Sequence, residues 1–520
     1  MNKRVTQEQA INLIKDGDTV AISGFQLATA ATGLYTALMK KFEQTGHPRD
    51  LTLMQAAGNL GVVSMTGEGL WRRYITGHFA SNQKMIDLVN GNKIEAYNFP
   101  QGVICHMYRA AAAGKPGEIT RIGLGTFCDP RRGGGKLNAC TKEDLVKLID
   151  VDGEEFLLYK TPKLDIALVR GTTSDEHGNI TIEEESSSID MLDVVMGVKG
   201  RGGKVIVQVK NYVSSTSLDR SRVLIPGCMV DAIYVAENPE KEHLQTPGAF
   251  YDPAIAGHYR LPDLGFANLP LNERKIIARR AAMELLPDSI VNLGIGIPEC
   301  IANVASEEGI GDRLTLTLES GLIGGIPAGG VHFGSSYNAW AGIPMTSLFD
   351  YYNSGNLSFT SLGFAEVDPA GNINVSRFGE KIAGAGGFID ISSSTPVIAF
   401  SGTMTAGGFK SVIKDGKLVI LQEGKRKKFV KSIEQITFNA KANLASGKKI
   451  LFITERCVFK LTEEGLILTE IAPGISIEEH ILPAMEFAPI ISPDCREMDN
   501  RIFREGLMGL SRIIDRAHDS

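Results

Sequence analysis

The chain has 520 residues, of which 43% are hydrophobic and 22% charged. That composition supports a large buried core and excludes disorder as the main state; at about 150 residues per domain it predicts two to four domains. Lys and Arg total 54 against 60 Asp and Glu, a net charge of −6, which argues against a general nucleic-acid binder. Glycine is in excess, 57 residues, where about 7% is usual. Many tight turns and close backbone approaches are therefore expected.

From the N-terminus, Thr6–Lys15 reads as an amphipathic helix with Thr6 as its N-cap. An Asp16-Gly17-Asp18 turn follows, then a strand Thr19–Ile22 that ends at Ser23-Gly24. Helix, turn, strand and glycine loop in that order predict an α/β protein with largely parallel strands. The order recurs. Residues 9–25 resemble 279–296, and LTLMQAAG at 51–58 resembles LTLTLESG at 314–321. TSDEHGNIT at 173–181 resembles VDPAGNINV at 367–375, and Gly200–Gly203 resembles Gly384–Gly387, each with a β run expected after it. Four matches in one order predict two related open α/β domains, 1–235 and 272–520. Residues 236–271, rich in Pro and charge, read as the linker between them.

Several signatures fail. Gly294-Ile-Gly-Ile-Pro-Glu299 follows a strand, but Glu299 stands where a dinucleotide fingerprint needs Gly or Ala. Gly123–Cys128 fails likewise, and Lys136 lacks the Ser or Thr and the first glycine of a P-loop. No GxSxG elbow occurs. The seven cysteines are odd in number and include no CxxC pair, and the nine histidines include no HxxxH, so no metal site is expected. The N-terminus has no signal-like apolar run and no stretch would span a membrane; a cytoplasmic location is expected. Lys425-Arg-Lys-Lys428 reads as an exposed turn after a strand Lys417–Gln422. His78, His106 and His332 read as structural, and Cys128 as a packing residue.

The repeat isolates one residue. Ala56 precedes the loop glycine in the first half; Glu319 holds the equivalent position in the second. Glu319 follows the apolar run Leu314–Leu318 and enters the glycine-rich stretch Ser320–Gly330, the kind of strand end where open α/β sheets build sites. A Glu side chain is ionised at neutral pH and can be a nucleophile without an activating base. Attack on a thioester would give an acyl anhydride and a thiolate, chemistry suited to reversible exchange of one acid for another. Glycine backbone would supply oxyanion donors and admit a narrow pantetheine arm.

Further landmarks are Asn98–Gly102, Gly125–Arg131 with Gly133–Asn138, Gly294–Pro298, Glu319–Gly321 with Gly324–Gly330, Gly402–Gly407 and Ile453–Arg456. With these the chain resembles a family I CoA-transferase along nearly its whole length, closest to single-chain propionate/acetate types with both halves fused. The resemblance implies the NagB/RpiA/CoA-transferase-like fold and a ping-pong transfer of CoA between a short-chain acyl-CoA and a free acid. It implies Glu319 as the nucleophile that carries a glutamyl-CoA thioester. Gln101 would face the acyl group, and Gly386 and Gly387 would supply N–H groups to the oxyanion. Gly294, Ile295, Gly296, Ile297 and Pro298 would take CoA, together with Gly386, Gly402, Gly407 and Lys410. CoA would be a substrate, with no tightly bound cofactor, and the protein a homo-oligomer. An acyl-CoA hydrolase and a non-catalytic metabolite-binding regulator share the fold and remain alternatives. One departure stands out: after Phe349–Tyr352 the family's GGGLD run is replaced by Asn353–Ser358, a change that would alter the acyl pocket or a subunit contact and bears on substrate choice more than on the chemistry.

Overall fold

The computed structural model describes residues 3–215, 217–262 and 268–518. Its backbone gathers into two compact units that do not follow sequence order. The first holds residues through Pro262 with Leu318–Asp350 and Phe378–Asp390; the second holds the stretch before Leu318, Tyr351–Arg377 and the chain from Ile391. Of the expected linker 236–271, the part through Pro262 clusters with the first unit, and residues 263–267 lie outside the described residues.

The first unit is built on an eight-stranded sheet. In chain order its strands are β1 (Arg4–Val5), β2 (Thr19–Ile22), β3 (Leu51–Gln55), β4 (Trp71–Thr76), β5 (Glu95–Asn98), β6 (Ile166–Arg170), β7 (Lys204–Val209) and β8 (Ala232–Val235). Their spatial order is β1-β8-β7-β6-β2-β3-β4-β5, and every pairing is parallel. β2, β3 and β6 are buried at every position, as strands covered on both faces must be. Helix α1 (Gln7–Ile11) is capped as expected: the Thr6 hydroxyl accepts from the Gln9 N–H and the Gln9 side chain returns to Thr6, a capping box. It ends a turn earlier than Lys15, because Asn12 closes it and the next carbonyls are taken by three-residue turns. Helix α2 (Thr32–Thr45) buries Leu34, Tyr35 and Leu38 in a core that also holds Val20, Leu53, Tyr74 and Leu168. Helices α3 (Gln101–Ala112) and α4 (Met191–Gly200) pack together; a Cβ on Gly197 would sit 2.8 Å from the Tyr108 carbonyl, so glycine sets their approach.

The second unit repeats the plan. Helix α5 (Glu273–Ala282) leads to β9 (Ser289–Leu293), followed by β10 (Leu314–Leu318), β11 (Phe359–Leu362), β12 (Val397–Ser401) and β13 (Lys449–Ile453). The sheet continues through β14 (Cys457–Thr462), β15 (Gly465–Ile471) and β16 (Ile490–Glu497), in the order β10-β9-β11-β12-β13-β14-β15-β16. The first five strands are mutually parallel. Matching β9 to β2, β10 to β3, β11 to β6, β12 to β7 and β13 to β8 gives the same spatial order in both sheets. The third sequence match is also structural. Asn179 donates N–H and Nδ2 to the Asp175 carboxylate at 2.9 and 2.8 Å, and Asn372 does the same to Asp368 at 2.9 and 2.9 Å. The fourth match is out of register. β7 follows Gly203 directly, whereas Gly387 leads into a helix, Phe388–Ser394. A short glycine pattern is common to the start and the end of α/β helices and does not say which follows.

Candidate functional site

Glu319 is half-buried, set between the buried Leu318 and Ser320 at the turn that ends β10. That turn is fixed from a second segment. The Ser187 hydroxyl donates to the Ser320 carbonyl, and Gly321, at φ +102°, has no room for a Cβ against the Ile343 carbonyl. Ser187 belongs to a serine triplet whose next residue, Ile189, holds φ +49°, a left-handed conformation that a β-branched side chain rarely accepts. The Ile189 carbonyl accepts from the Met345 N–H at 2.8 Å, which helps hold it there. Ser186, Ser187 and Ser188 line a cavity of about 380 Å³ with Leu322 and Gly342. Sequence reasoning missed these serines; a triple Ser after an acidic run carries no periodic signal.

Gln101 opens α3 and is 4% exposed. Its N–H donates to the Gly386 carbonyl at 2.9 Å and its amide nitrogen touches the Met345 sulfur at 3.2 Å. The structure thus brings Gln101 and the Gly384–Gly387 loop together. That loop is pinned along its length: Phe79 N–H to Ala383 O, Ala385 N–H to Asn98 Oδ1 at 2.9 Å, and Gly386 N–H to Gly77 O at 2.8 Å. The Gly386 N–H is therefore committed to the Gly77 carbonyl. His78 lies alongside, its Nδ1 accepting from the Ala80 N–H at 2.9 Å, and burial holds its pKa below the usual imidazole value. A neutral ring with hydrogen on Nε2 results.

Asp390, four residues past Gly386, is fully buried. Its Oδ2 accepts from the Gly102 N–H at 3.1 Å, and the Val103 N–H also reaches the carboxylate. The first turn of α3 is thus capped by the segment that carries the glycine loop. Oδ1 has no hydrogen-bond partner, and burial raises the pKa to about 7 despite those two bonds. Farther along α3, His106 pairs with Asp350 at 2.8 Å and Arg109 with Asp350 and Asp193. Burial alone would lower the His106 pKa, but the Asp350 hydrogen bond and charge outweigh it and raise it. Cys128 is buried and its thiol is pushed well up by that burial, so it is no ready nucleophile. His332 donates to or accepts from the Thr246 hydroxyl at 2.8 Å.

The second unit offers a glycine rim. Three successive parallel strands end in glycine: β9 in Gly294, β11 in Gly363 and β12 in Gly402. Gly294 N–H donates to Ser361 O at 2.9 Å, and Gly402 N–H to Ile453 O at 3.1 Å. A Cβ on Gly296 or Gly363 would meet nothing within 4 Å, so the space above both is open. Ile295 is 65% exposed beside this space, and the Gly296 carbonyl is held by Arg274 at 2.8 Å. Ile297 and Pro298 accept the first bonds of the following helix, Cys300–Glu307. Gly407 is exposed and its carbonyl accepts from the Lys425 N–H at 3.1 Å; Lys410 is exposed at the start of a strand, Lys410–Lys414.

The loop from Gly402 to Gly407 is anchored by a buried charge cluster. Glu455 accepts from the Met404 N–H at 2.9 Å and from Arg456 Nε at 2.7 Å; Arg456, fully buried, also reaches Glu423 at 2.8 Å and the His480 carbonyl at 2.8 Å. The sequence did hold a signal: adjacent opposite charges inside the apolar run LFITERCVF imply a buried pair. Asn353–Ser358, the departure from the family pattern, lies before β11, at the opposite end of the strands from the rim; Ser358 Oγ accepts from the Ile290 N–H at 3.1 Å there. Among the described residues no cluster of His, Cys, Asp and Glu could hold a metal ion, and no helix is long and apolar enough to cross a membrane.

Two sheets of like topology, built on parallel strands, define a protein of the open α/β class. Residues 4–236 match the family described as Coenzyme A transferase. The caffeate CoA-transferase of Acetobacterium woodii is 45% identical over 99% of this chain and its own full length. The acetate CoA-transferase YdiF of Escherichia coli K12 is 44% identical over 97% of this chain and 96% of that protein. The crystal structure of the Escherichia coli O157:H7 YdiF acyl-CoA transferase, titled a thioester complex with CoA, superposes with a TM-score of 0.91 at 42% identity, covering 98% and 97% of the two chains. The chain belongs to the family I CoA-transferases, and it is an enzyme that moves CoA between acyl-CoA and carboxylic acids.

Proposed function

We propose that the enzyme exchanges CoA between a short-chain acyl-CoA and a free acid of the acetate, propionate, butyrate or lactate type, through a glutamyl-CoA thioester on Glu319. The observation that carries this reading is Glu319 itself, a half-buried carboxylate on a turn locked by Ser187, where the equivalent turn of the first sheet has Ala56. One Glu319 oxygen attacks the thioester carbonyl, and collapse expels CoA thiolate to leave an acyl-glutamyl anhydride. The thiolate attacks the Glu319 carbonyl of the anhydride and releases the first acid. A second carboxylate attacks the glutamyl thioester and the same two steps run backward, returning Glu319 and a new acyl-CoA. Gly387 N–H serves each oxyanion, a donor worth about 3 kcal/mol in comparable sites. Gln101 orients the acyl oxygen, and the glycine rim with Ile295 receives the pantetheine arm. The relatives named for caffeate and acetate bracket a wide acid range. A homo-oligomer in the cytoplasm belongs to the same reading.

Acceptor dependence tests it against hydrolysis. With acetyl-CoA as donor, new acyl-CoA should appear only when propionate, butyrate or lactate is added, and free CoA should stay low. Acid-independent release of CoA at the same rate would replace the transferase reading with a hydrolase.

A further inference from the structure

His78 reads from sequence as structural, but its place in the first unit leaves it a donor with nothing to bind. β4 ends at Thr76 and β5 at Asn98, and the two are parallel neighbours. His78 and Gln101 therefore follow adjacent strand ends, the edge at which open α/β sheets build sites. Glycines make room for the ring. A Cβ on Gly58 would lie 2.8 Å from its Nδ1, and one on Gly384 would lie 3.0 Å from its Cα. The turn after it holds Ala80 at φ +48° and Ser81 at φ +57°, two consecutive left-handed residues that are not glycine. Such strain persists only where the surrounding structure enforces it, and it clusters at functional sites.

The Ala80 N–H bond settles which nitrogen does what. Nδ1 accepts from it, so Nε2 carries the hydrogen of the neutral ring. Among the described residues that Nε2–H has no acceptor, and the side chain is half-buried rather than enclosed. His106 shows the contrast: a carboxylate partner raises its pKa, whereas burial alone acts on His78 and lowers it. His78 thus serves no internal charge. Its free edge faces the glycine loop. His78 Cδ2, bonded to Nε2, and Gln101 Oε1 each lie 3.9 Å from the point where a Cβ on Gly386 would stand. Glycine leaves that gap for a ligand. Gln101 is tied in turn to the segment that holds Glu319. Its Nε2 touches Met345 Sδ at 3.2 Å, and the Met345 N–H donates at 2.8 Å to the carbonyl of Ile189, two residues past Ser187.

We propose that His78 is a catalytic residue whose Nε2–H donates to the carbonyl oxygen of the acyl group beside Gln101 and Gly386 and holds that oxygen as it becomes an oxyanion. The inference rests on the CoA-transferase reading of Glu319 and Gln101. In the step concerned, an electron pair of a Glu319 oxygen forms the bond to the acyl carbon, and the carbonyl π pair moves onto the oxygen. Return of that pair breaks the C–S bond, and CoA leaves as the thiolate. The imidazole keeps its proton throughout, so a neutral donor suffices.

Two substitutions separate this role from a structural one. His78→Asn keeps an oxygen where Nδ1 accepts from Ala80 but has no donor at the Nε2 position. His78→Gln reaches the Nε2 position with an N–H but gives up the Ala80 bond. The full chain of each is assayed for CoA transfer from acetyl-CoA to propionate and for melting temperature. The proposal predicts that His78→Asn melts like wild type yet loses kcat by on the order of 100-fold, with little change in KM for acetyl-CoA. His78→Gln should melt lower but recover most of that kcat. Wild-type kcat in His78→Asn overturns the proposal. So does a His78→Gln no more active than His78→Asn, or a loss of kcat that follows the melting temperature across both, since each marks a structural histidine. Wild type that neither transfers CoA nor forms a CoA adduct overturns the transferase reading instead.

Discussion

Replacing Asp390 by Asn should stabilise the protein in a way that depends on pH. In the fold this carboxyl titrates near 7, against an ordinary 3.8, because it is fully buried with Oδ1 unpartnered. A carboxyl whose folded pKa is raised disfavours folding once pH exceeds the unfolded value. The penalty grows as pH rises from about 3.8 to about 7 and is constant above that. At 1.36 kcal/mol per pH unit the penalty is on the order of 4 kcal/mol above pH 7 and less than half of that at pH 5. Asn has nearly the same shape and still offers an oxygen to the Gly102 N–H, but it carries no charge to desolvate. The two-unit chain need not unfold in one step, so apparent melting temperatures of Asp390→Asn and wild type are compared side by side. The variant should gain on wild type from pH 5 to pH 8. His106 is the titrating base that acts on this carboxyl, and its own pKa is raised by Asp350, so Asp350→Asn serves as the control for its contribution. A difference between variant and wild type that does not change with pH would refute the argument, since only desolvation of a charge gives that slope.

Three other outcomes follow from the same geometry. Arg456→Met leaves Glu455 buried without its cation; a loss of about 3–5 kcal/mol is expected, seen as a lower melting temperature together with weaker CoA binding from the loosened Gly402–Gly407 loop. Gly102→Ala places a Cβ 2.5 Å from Asp390 Oδ1 and 2.7 Å from the Phe349 ring, so overpacking of about 1–3 kcal/mol should accompany a fall in kcat larger than the change in KM for acyl-CoA, as Gln101 is displaced. Cys128→Ala should keep transferase activity, and wild type should resist thiol alkylation at this position in the folded state, measured by peptide mass.

Much of the fold was legible because local chemistry repeats. The Thr6 cap, the Leu51 and Leu314 strands and the two Asp-Gly-Asn turns each carry their own hydrogen-bonding signal within a few residues, and the two sheets place them in equivalent positions. What stayed hidden depends on long-range packing. Nothing local marks that Leu318–Asp350 and Phe378–Asp390 pack with the N-terminal segment, so a division of the chain by sequence order cannot show it. The glycine match at 200–203 and 384–387 misled because glycine reports close approach, not the element that comes next. For the candidate site, the sequence singled out Glu319 by contrast with Ala56, and Gln101 and the Gly386 loop by family resemblance. Asp390 was missed and the burial of Lys428 hidden because a charge in sequence reads as solvent-exposed; only packing against Gly102 and Gly402 reveals it.

The account stands most directly on the covalent state of Glu319. Wild type and Glu319→Ala are incubated briefly with acetyl-CoA or propionyl-CoA, quenched, digested and analysed by peptide mass. The account predicts a CoA adduct on the wild-type peptide that carries Glu319, discharged by added acetate or propionate and missing from the variant. Full turnover in Glu319→Ala, or an adduct on a different residue, would contradict it.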